Sequence, residues 1–111
     1  MSDTNYIIGV IKILETPKQK MLKNNILLTK CRAQLPQPRT TGIVTLCFWG
    51  NLGRDVGIYY KINDYLIVEG HLFLRLKKSS NLMIQKLQKI ELTVIRVYPF
   101  VLNSDSSIRK I

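Results

Sequence analysis

A single tryptophan, a well-placed phenylalanine and an uneven spread of positive charge are the features of this chain that could do chemistry. Trp49 closes the apolar run Val44-Thr45-Leu46-Cys47-Phe48 and is followed at once by Gly50-Asn51-Leu52-Gly53. Phe73 lies between His71 and Arg75, in an alternating run that continues to Lys77, with Lys78 next. Lys30 and Arg32 alternate with Thr29, Cys31 and Ala33. Such a set can attract a polyanion and offer aromatic faces on which planar rings stack. It is poorly suited to making or breaking bonds. Asp55, Asp64, Glu69 and Glu91 are scattered over different segments without an acid–base motif, and turns, strand ends and salt bridges explain them. There is no Walker loop and no nucleophile elbow. Cys31 and Cys47 form no C-x-x-C pair, and the lone His71 cannot complete a usual zinc site. No enzyme, cofactor or metal is expected.

The charge pattern narrows the partner. Lys and Arg number 17 against 7 Asp and Glu, a formal net charge of +10 on 111 residues. Between Glu15 and Asp55 there is no acid, but there are Lys18, Lys20, Lys23, Lys30, Arg32, Arg39 and Arg54. Between Glu69 and Glu91 there is again no acid, with Arg75, Lys77, Lys78, Lys86 and Lys89. A basic composition alone does not produce such gaps. Two basic zones that folding could bring together point to nucleic acid ahead of anionic lipid or an acidic protein.

The elements that must position these residues are mostly strands. Tyr6 to Leu14 is β-branched and reads as a first strand, stopped by Thr16-Pro17. Lys18 to Asn25 is polar and basic, with Asn24-Asn25 as turn residues. A second strand runs from about Ile26 to Leu35, with Lys30, Arg32 and Gln34 on one face and Thr29, Cys31, Ala33 and Leu35 on the other. The prolines of Pro36 to Gly42 mark a loop. The third strand is Ile43 to Trp49; if Val44, Leu46 and Phe48 fill the core, Ile43, Thr45, Cys47 and Trp49 face outward. A short helix capped by Asn51 reaches to about Tyr60, with Leu52, Val56 and Tyr59 or Tyr60 at helical spacing. Gly53 and Gly57 weaken it, so it must rely on packing against the sheet. The fourth strand is Tyr65 to about Lys77; a loop follows to about Lys89, then a fifth strand from Ile90 to Tyr98. The order β-β-β-α-β-β predicts an all-β fold: a five-stranded Greek-key OB-fold barrel with one short helix between strands three and four. One domain is expected over residues 1–102, with residues 103–111 a frayed tail.

Phe48-Trp49-Gly50-Asn51-Leu52, then Lys61-Ile62-Asn63-Asp64, then Ile67-Val68-Glu69-Gly70-His71-Leu72 resemble, in order and spacing, the bacterial-type single-stranded-DNA-binding proteins. With the terminal Glu91-Leu92-Thr93-Val94-Ile95-Arg96, the pattern is nearest to the short single-stranded-DNA-binding-like reading frames of cyanobacteria and algal plastids. The resemblance covers roughly Asn5 to Tyr98. It implies that Trp49 stands where the family keeps a base-stacking aromatic. It also implies pairing through the first strand, Tyr6, Ile8, Val10 and Lys12, into a homodimer or homotetramer. Three departures bear on function. Ile43 and Lys77 occupy positions where stacking aromatics are common, which implies weaker binding. The loop between strands two and three is short. The chain ends Ile108-Arg109-Lys110-Ile111, where the family carries an acidic tip that recruits replication partners.

The expected function is therefore non-catalytic, largely sequence-independent binding of single-stranded DNA in replication, recombination or repair. Lys30, Arg32, Arg75, Lys77 and Lys78 would contact phosphate, and Trp49 and Phe73 would stack bases. One alternative is a protein-interaction barrel of a replication or restart complex, of the primosomal replication protein N type; another is an RNA-binding barrel on the same face. No small-molecule substrate and no membrane partner are expected: no apolar run reaches the roughly 20 residues needed to span a bilayer, and the N-terminus shows no signal peptide. The Ile-, Lys- and Asn-heavy usage suits an AT-rich organelle genome, which places the protein in the plastid stroma, with a bacterial cytoplasm as the alternative. The strand parity makes a further expectation: Cys31 and Cys47 point to opposite walls and stay reduced.

Overall fold

The computed structural model describes residues 5–35, 42–78 and 85–100, and for residues 76–78 and 85–88 it describes only the backbone. The elements are β1 (Tyr6–Ile13), β2 (Lys18–Met21), β3 (Leu27–Leu35), β4 (Gly42–Trp49), α1 (Gly50–Tyr59), β5 (Tyr65–Lys78) and β6 (Gln85–Pro99). The strands lie in the order β1-β5-β6-β4-β3-β2, and β1 returns to β3 at Lys12–Gln34 and Ile13–Ala33 to close the sheet. β4 and β6 run parallel and the other pairs antiparallel. This is the expected OB-fold barrel, with α1 between the third and fourth of its five principal strands.

The core follows from the alternation. Val44, Leu46 and Phe48 of β4 are buried, as are Cys31 and Ala33 of β3, Ile11 and Ile13 of β1, and Leu66 and Val68 of β5. Each large side chain among them contributes about 1.5–3 kcal/mol of burial. The opposite parity faces out: Ile43 is 52% exposed and Trp49 44%. Cys47 shares that outer face yet is buried, in a strand flanked on both sides by β3 and β6.

The sequence reading departs from the structure at three places. Lys18–Met21 forms β2, a hairpin partner of β3, rather than loop; all of its residues are exposed, so no apolar alternation marks it. The turn that follows is where it was expected, with Asn24 and Asn25 at φ 72° and 59°. Asn51 does not cap α1. The cap position belongs to Trp49, without a side-chain hydrogen bond, while Asn51 lies inside the first turn and its Oδ1 accepts from Arg54 Nη1 at 3.2 Å. Of the two tyrosines at the helix end, Tyr60 packs on the core and Tyr59 is exposed. The last strand starts at Gln85 instead of Ile90, pairing Lys78–Gln85 through Arg75–Lys89 to make a long two-stranded ribbon. The predicted loop residues 36–41 and the tail from residue 101 onward, Arg39 included, lie outside the described residues.

Two glycines explain why the motif residues are where they are. Gly50 sits at φ +65°, the left-handed backbone that turns strand β4 into α1 directly after Trp49. Gly70 lies at the irregularity where β5 pairs Glu69 with Arg96 but Gly70 with Val94. A Cβ there would stand 2.1 Å from the Thr93 carbonyl oxygen, so only glycine lets the β6 backbone approach this closely. The helix, weak by composition, is held from below: Val56 is buried, and Gly53 rests against Thr29 and the Phe48 carbonyl.

Candidate nucleic-acid interface

Cross-strand register assembles the predicted residues into one surface. On the outer face of the sheet, Arg32 of β3 pairs with Thr45 of β4, Thr45 with Glu91 of β6, and Glu91 with Phe73 of β5. One step along, Lys30 pairs with Cys47, Cys47 with Thr93, and Thr93 with His71. Arg75 pairs with Lys89 beyond Phe73. The two basic zones, separate in sequence, are thus brought into register by β4 and β6.

The surface is concave. An open hollow of about 580 Å³ is lined by Trp49, Phe73, Lys30 and Arg75, with Cys47, Glu91 and Thr93 also lining it and Leu22, Leu28 and Leu74 at its apolar margin. A second hollow of similar volume, lined by Arg32, Ile43, Thr45, Lys89 and Glu15, shares Lys30 with the first. Trp49 and Phe73 are each about half exposed, at 44% and 49%. β6 lies between their strands, so their backbones are two strand spacings apart, roughly 10 Å. Phe73 is level with Thr45, four residues before Trp49 on β4; along the strand that adds roughly 13 Å. The rings are therefore separate platforms and cannot clamp a single planar group between them.

The charge of the face is moderated by two carboxylates. Glu91 is 6% exposed and meets Arg75 Nε at 3.1 Å, Lys89 Nζ at 3.3 Å and Lys30 Nζ at 3.5 Å. Burial alone would push its carboxyl up. The Arg75 hydrogen bond, the ammonium of Lys89 beside it and the charge of Lys30 outweigh that and hold it below the ordinary carboxylate value. Glu15 accepts from the Arg32 backbone N–H at 3.0 Å and from Arg32 Nε at 3.4 Å. Glu15 and Glu91, each at one end of an acid-free stretch of the sequence, thus fold back onto cations of those stretches. Neither Glu91 nor Glu15 stood out in the sequence as part of the site. Nor did Lys89, although it lies in one of the acid-free stretches.

Trp49, Lys30, Arg32, Phe73 and Arg75 are thus brought together along the joined hollows. Lys77 and Lys78 continue β5 outward along the ribbon; their side chains lie outside the described residues. Tyr6, Ile8, Val10 and Lys12 do not join this site. They alternate along β1, opposite His71, Glu69, Ile67 and Tyr65. Among the described residues, the outer edge of β1 is unpaired from Tyr6 to Ile11. His71 is occupied locally, with Nδ1 3.1 Å from Asn5 Oδ1 and its ring edge-on to Tyr6.

The cysteines obey the parity argument. Cys31 pairs with Leu46 and faces the core, whereas Cys47 pairs with Lys30 on the outer face, and both are free. Burial pushes the Cys31 thiol up to about 12, and burial with the Glu91 charge raises Cys47. No group of three or more His, Cys, Asp or Glu that could hold a metal occurs among the described residues. No helix there is long and apolar enough to cross a membrane.

A closed Greek-key sheet with a bridging helix, aromatic rings and convergent cations on its outer face defines an oligonucleotide-binding barrel. Solved structures share the fold. The single-stranded-DNA-binding domain of a Synechococcus protein aligns at TM-score 0.66 and 23% identity, over 88% of this chain and 98% of that one. The second single-stranded-DNA-binding protein of Mycobacterium smegmatis aligns at 0.64 and 24%, over 86% and 87%. The small single-stranded-DNA-binding protein of Streptomyces coelicolor aligns at 0.68 and 15%, over 86% and 94%. No family model matches the chain. Sequence comparison is more specific: the chain is 42% identical over 104 residues to ycf41 of Trieres chinensis, whose name proposes single-stranded DNA binding, across 90% of this chain and 92% of that protein. The chain belongs to the bacterial-type single-stranded-DNA-binding protein family, in its ycf41 branch.

Proposed function

We propose that this protein binds single-stranded DNA without catalysis and with little sequence preference, through the joined hollows on the outer face of the barrel. The observation that carries the reading is the meeting of Trp49 and Phe73, both half exposed, with Lys30 and Arg75 around one hollow. Stacking is sequence-tolerant because every base has a π-face, and the cations meet a backbone that is the same at every nucleotide. The name of the Trieres relative supports this partner. The unpaired β1 edge, with Tyr6 and Ile8 exposed beside it, supports pairing of two copies through Tyr6, Ile8, Val10 and Lys12 into a homodimer, or a tetramer built from it. The composition supports the plastid stroma over a bacterial cytoplasm.

A second reading draws on the ion pairs. Lys30, Arg32 and Arg75 already have carboxylate partners, which would weaken a phosphate interface and suit a protein-interaction barrel of a replication or restart complex. RNA is the remaining polyanion the same face could take.

Trp49 is the only tryptophan, so its emission reports on the site directly. Oligo-dT should quench it, and Trp49→Ala should weaken binding by about 1–3 kcal/mol. Phe73→Ala should cost a similar amount, adding to the first within about 0.5 kcal/mol because the platforms are separate. An unchanged spectrum under saturating oligo-dT would remove the stacking role. A ribo-oligomer competing as well as its deoxy counterpart would widen the partner to RNA.

A further inference from the structure

We infer that Glu91 is a built-in counter-charge that competes with phosphate for Lys30, Arg75 and Lys89 and so limits how tightly this face holds a single strand. The inference rests on the single-strand-binding reading above. The cations reach the one carboxylate from different strands: Lys30 from β3, Arg75 from β5 and Lys89 from β6 itself. On β4, next to the Thr45 that pairs with it, the titratable group within reach of its charge is the Cys47 thiol, which burial and Glu91 raise. The accessibilities are opposed. The Glu91 side chain is 8% exposed, while Lys30, Lys89 and Arg75 are 38%, 42% and 59% exposed. A phosphate on the solvent side therefore meets the cations first, and they stand between it and the buried carboxylate.

The contacts are also of unequal strength. Arg75 Nε makes a hydrogen bond to Oε1 at 3.1 Å. Oε2 accepts no hydrogen bond and is held only by the two ammonium groups at 3.3 and 3.5 Å. These long contacts, made by partly exposed lysines, are the weaker part of the cluster. Lys30 and Lys89 can turn outward to phosphate while Arg75 keeps the carboxylate in place. Glu15 differs, because it is also bonded to the Arg32 backbone and so builds the strand end as well as neutralising a charge. The buried charge of Glu91 remains near the bound phosphate in either state, and it repels it.

The test is Glu91→Gln, which keeps the shape and removes the charge. Like charges some 6 Å apart in partly aqueous surroundings predict roughly three- to tenfold tighter oligo-dT binding at low salt. The log–log salt dependence should steepen by about 0.7, one further phosphate equivalent. Lys30→Gln should then cost more affinity in the E91Q background than in the wild type, because the lysine is no longer shared. Equal or weaker binding by a folded E91Q protein, or an equal cost of Lys30→Gln in both backgrounds, would overturn the inference. Should E91Q not fold, the wild-type protein answers by carbon-13 NMR. The Glu91 carboxyl resonance should move on adding oligo-dT, and one indifferent to saturation would overturn it. Oligo-dT binding without these effects defeats this inference alone. No binding of oligo-dT by the wild-type protein defeats the single-strand reading and this inference with it.

Discussion

Cys31 and Cys47 show how far one residue can be placed from alternation alone. Period two along β3 and β4 puts Cys31 with Thr29 and Ala33 inside and Cys47 with Trp49 outside, and the register bears that out. Their consequence is chemical. Burial lifts Cys31 to about 12 and raises Cys47 as well. At pH 8 both should therefore alkylate more slowly in the folded protein than in the unfolded chain, Cys31 by at least about a hundredfold. Rapid labelling of Cys31 at native conditions would show that it lies outside its assigned wall. Glu91 was not legible in the same way. Its role depends on Lys30 being two strands away in space, and that requires the parallel β4–β6 register, which no local pattern encodes.

β3, β4, α1 and β5 could be read from apolar periodicity, because each has one face in the core and one outside, and β1 from its β-branched run. β2 and the Gln85–Lys89 start of β6 could not. Lys18–Met21 is exposed along its whole length, and residues 85–89 are mostly polar with a single leucine, so neither carries an alternation. Their strand character comes from a neighbour's free edge, a tertiary cause. Gly70 is the position where element geometry is strictest: a Cβ meets Thr93 O and C at 2.1 and 2.9 Å. Gly70→Ala should lower stability by about 1–3 kcal/mol in urea denaturation, since backbone rather than a movable side chain must give way. An unchanged midpoint would mean that the β5–β6 irregularity relaxes freely. The β1 edge makes a second prediction at this scale. Ile8→Lys faces Glu69 across the strand pair, so the fold should tolerate it, while a lysine beside the edge disfavours strand addition. Analytical ultracentrifugation should find the wild type associated and the variant shifted toward monomer; a monomeric wild type would remove the proposed interface.

For the molecule as a whole, charge and topology act together. The sequence shows +10 and two acid-free stretches; the barrel brings Lys30 and Arg32 of one and Arg75 and Lys89 of the other onto one outer face, and Glu15 and Glu91 temper them there. The order of elements, with the resemblance to a known family, made the barrel legible, and the 42% identity to the Trieres protein bears the family out. The strength of binding was not legible. It depends on how many rings are exposed and how many cations are already paired, both properties of the assembled surface. The central claim is that this surface holds single-stranded DNA, and Trp49 titrations with oligo-dT and with duplex of equal length, over a range of salt, test it most directly. With roughly three to five phosphates contacted, the affinity for oligo-dT should fall with a log–log slope near −2 to −4. Duplex should bind more weakly at every salt concentration, because its base faces are already stacked. Equal affinity for single strand and duplex, or no binding of either at low salt, would contradict the account.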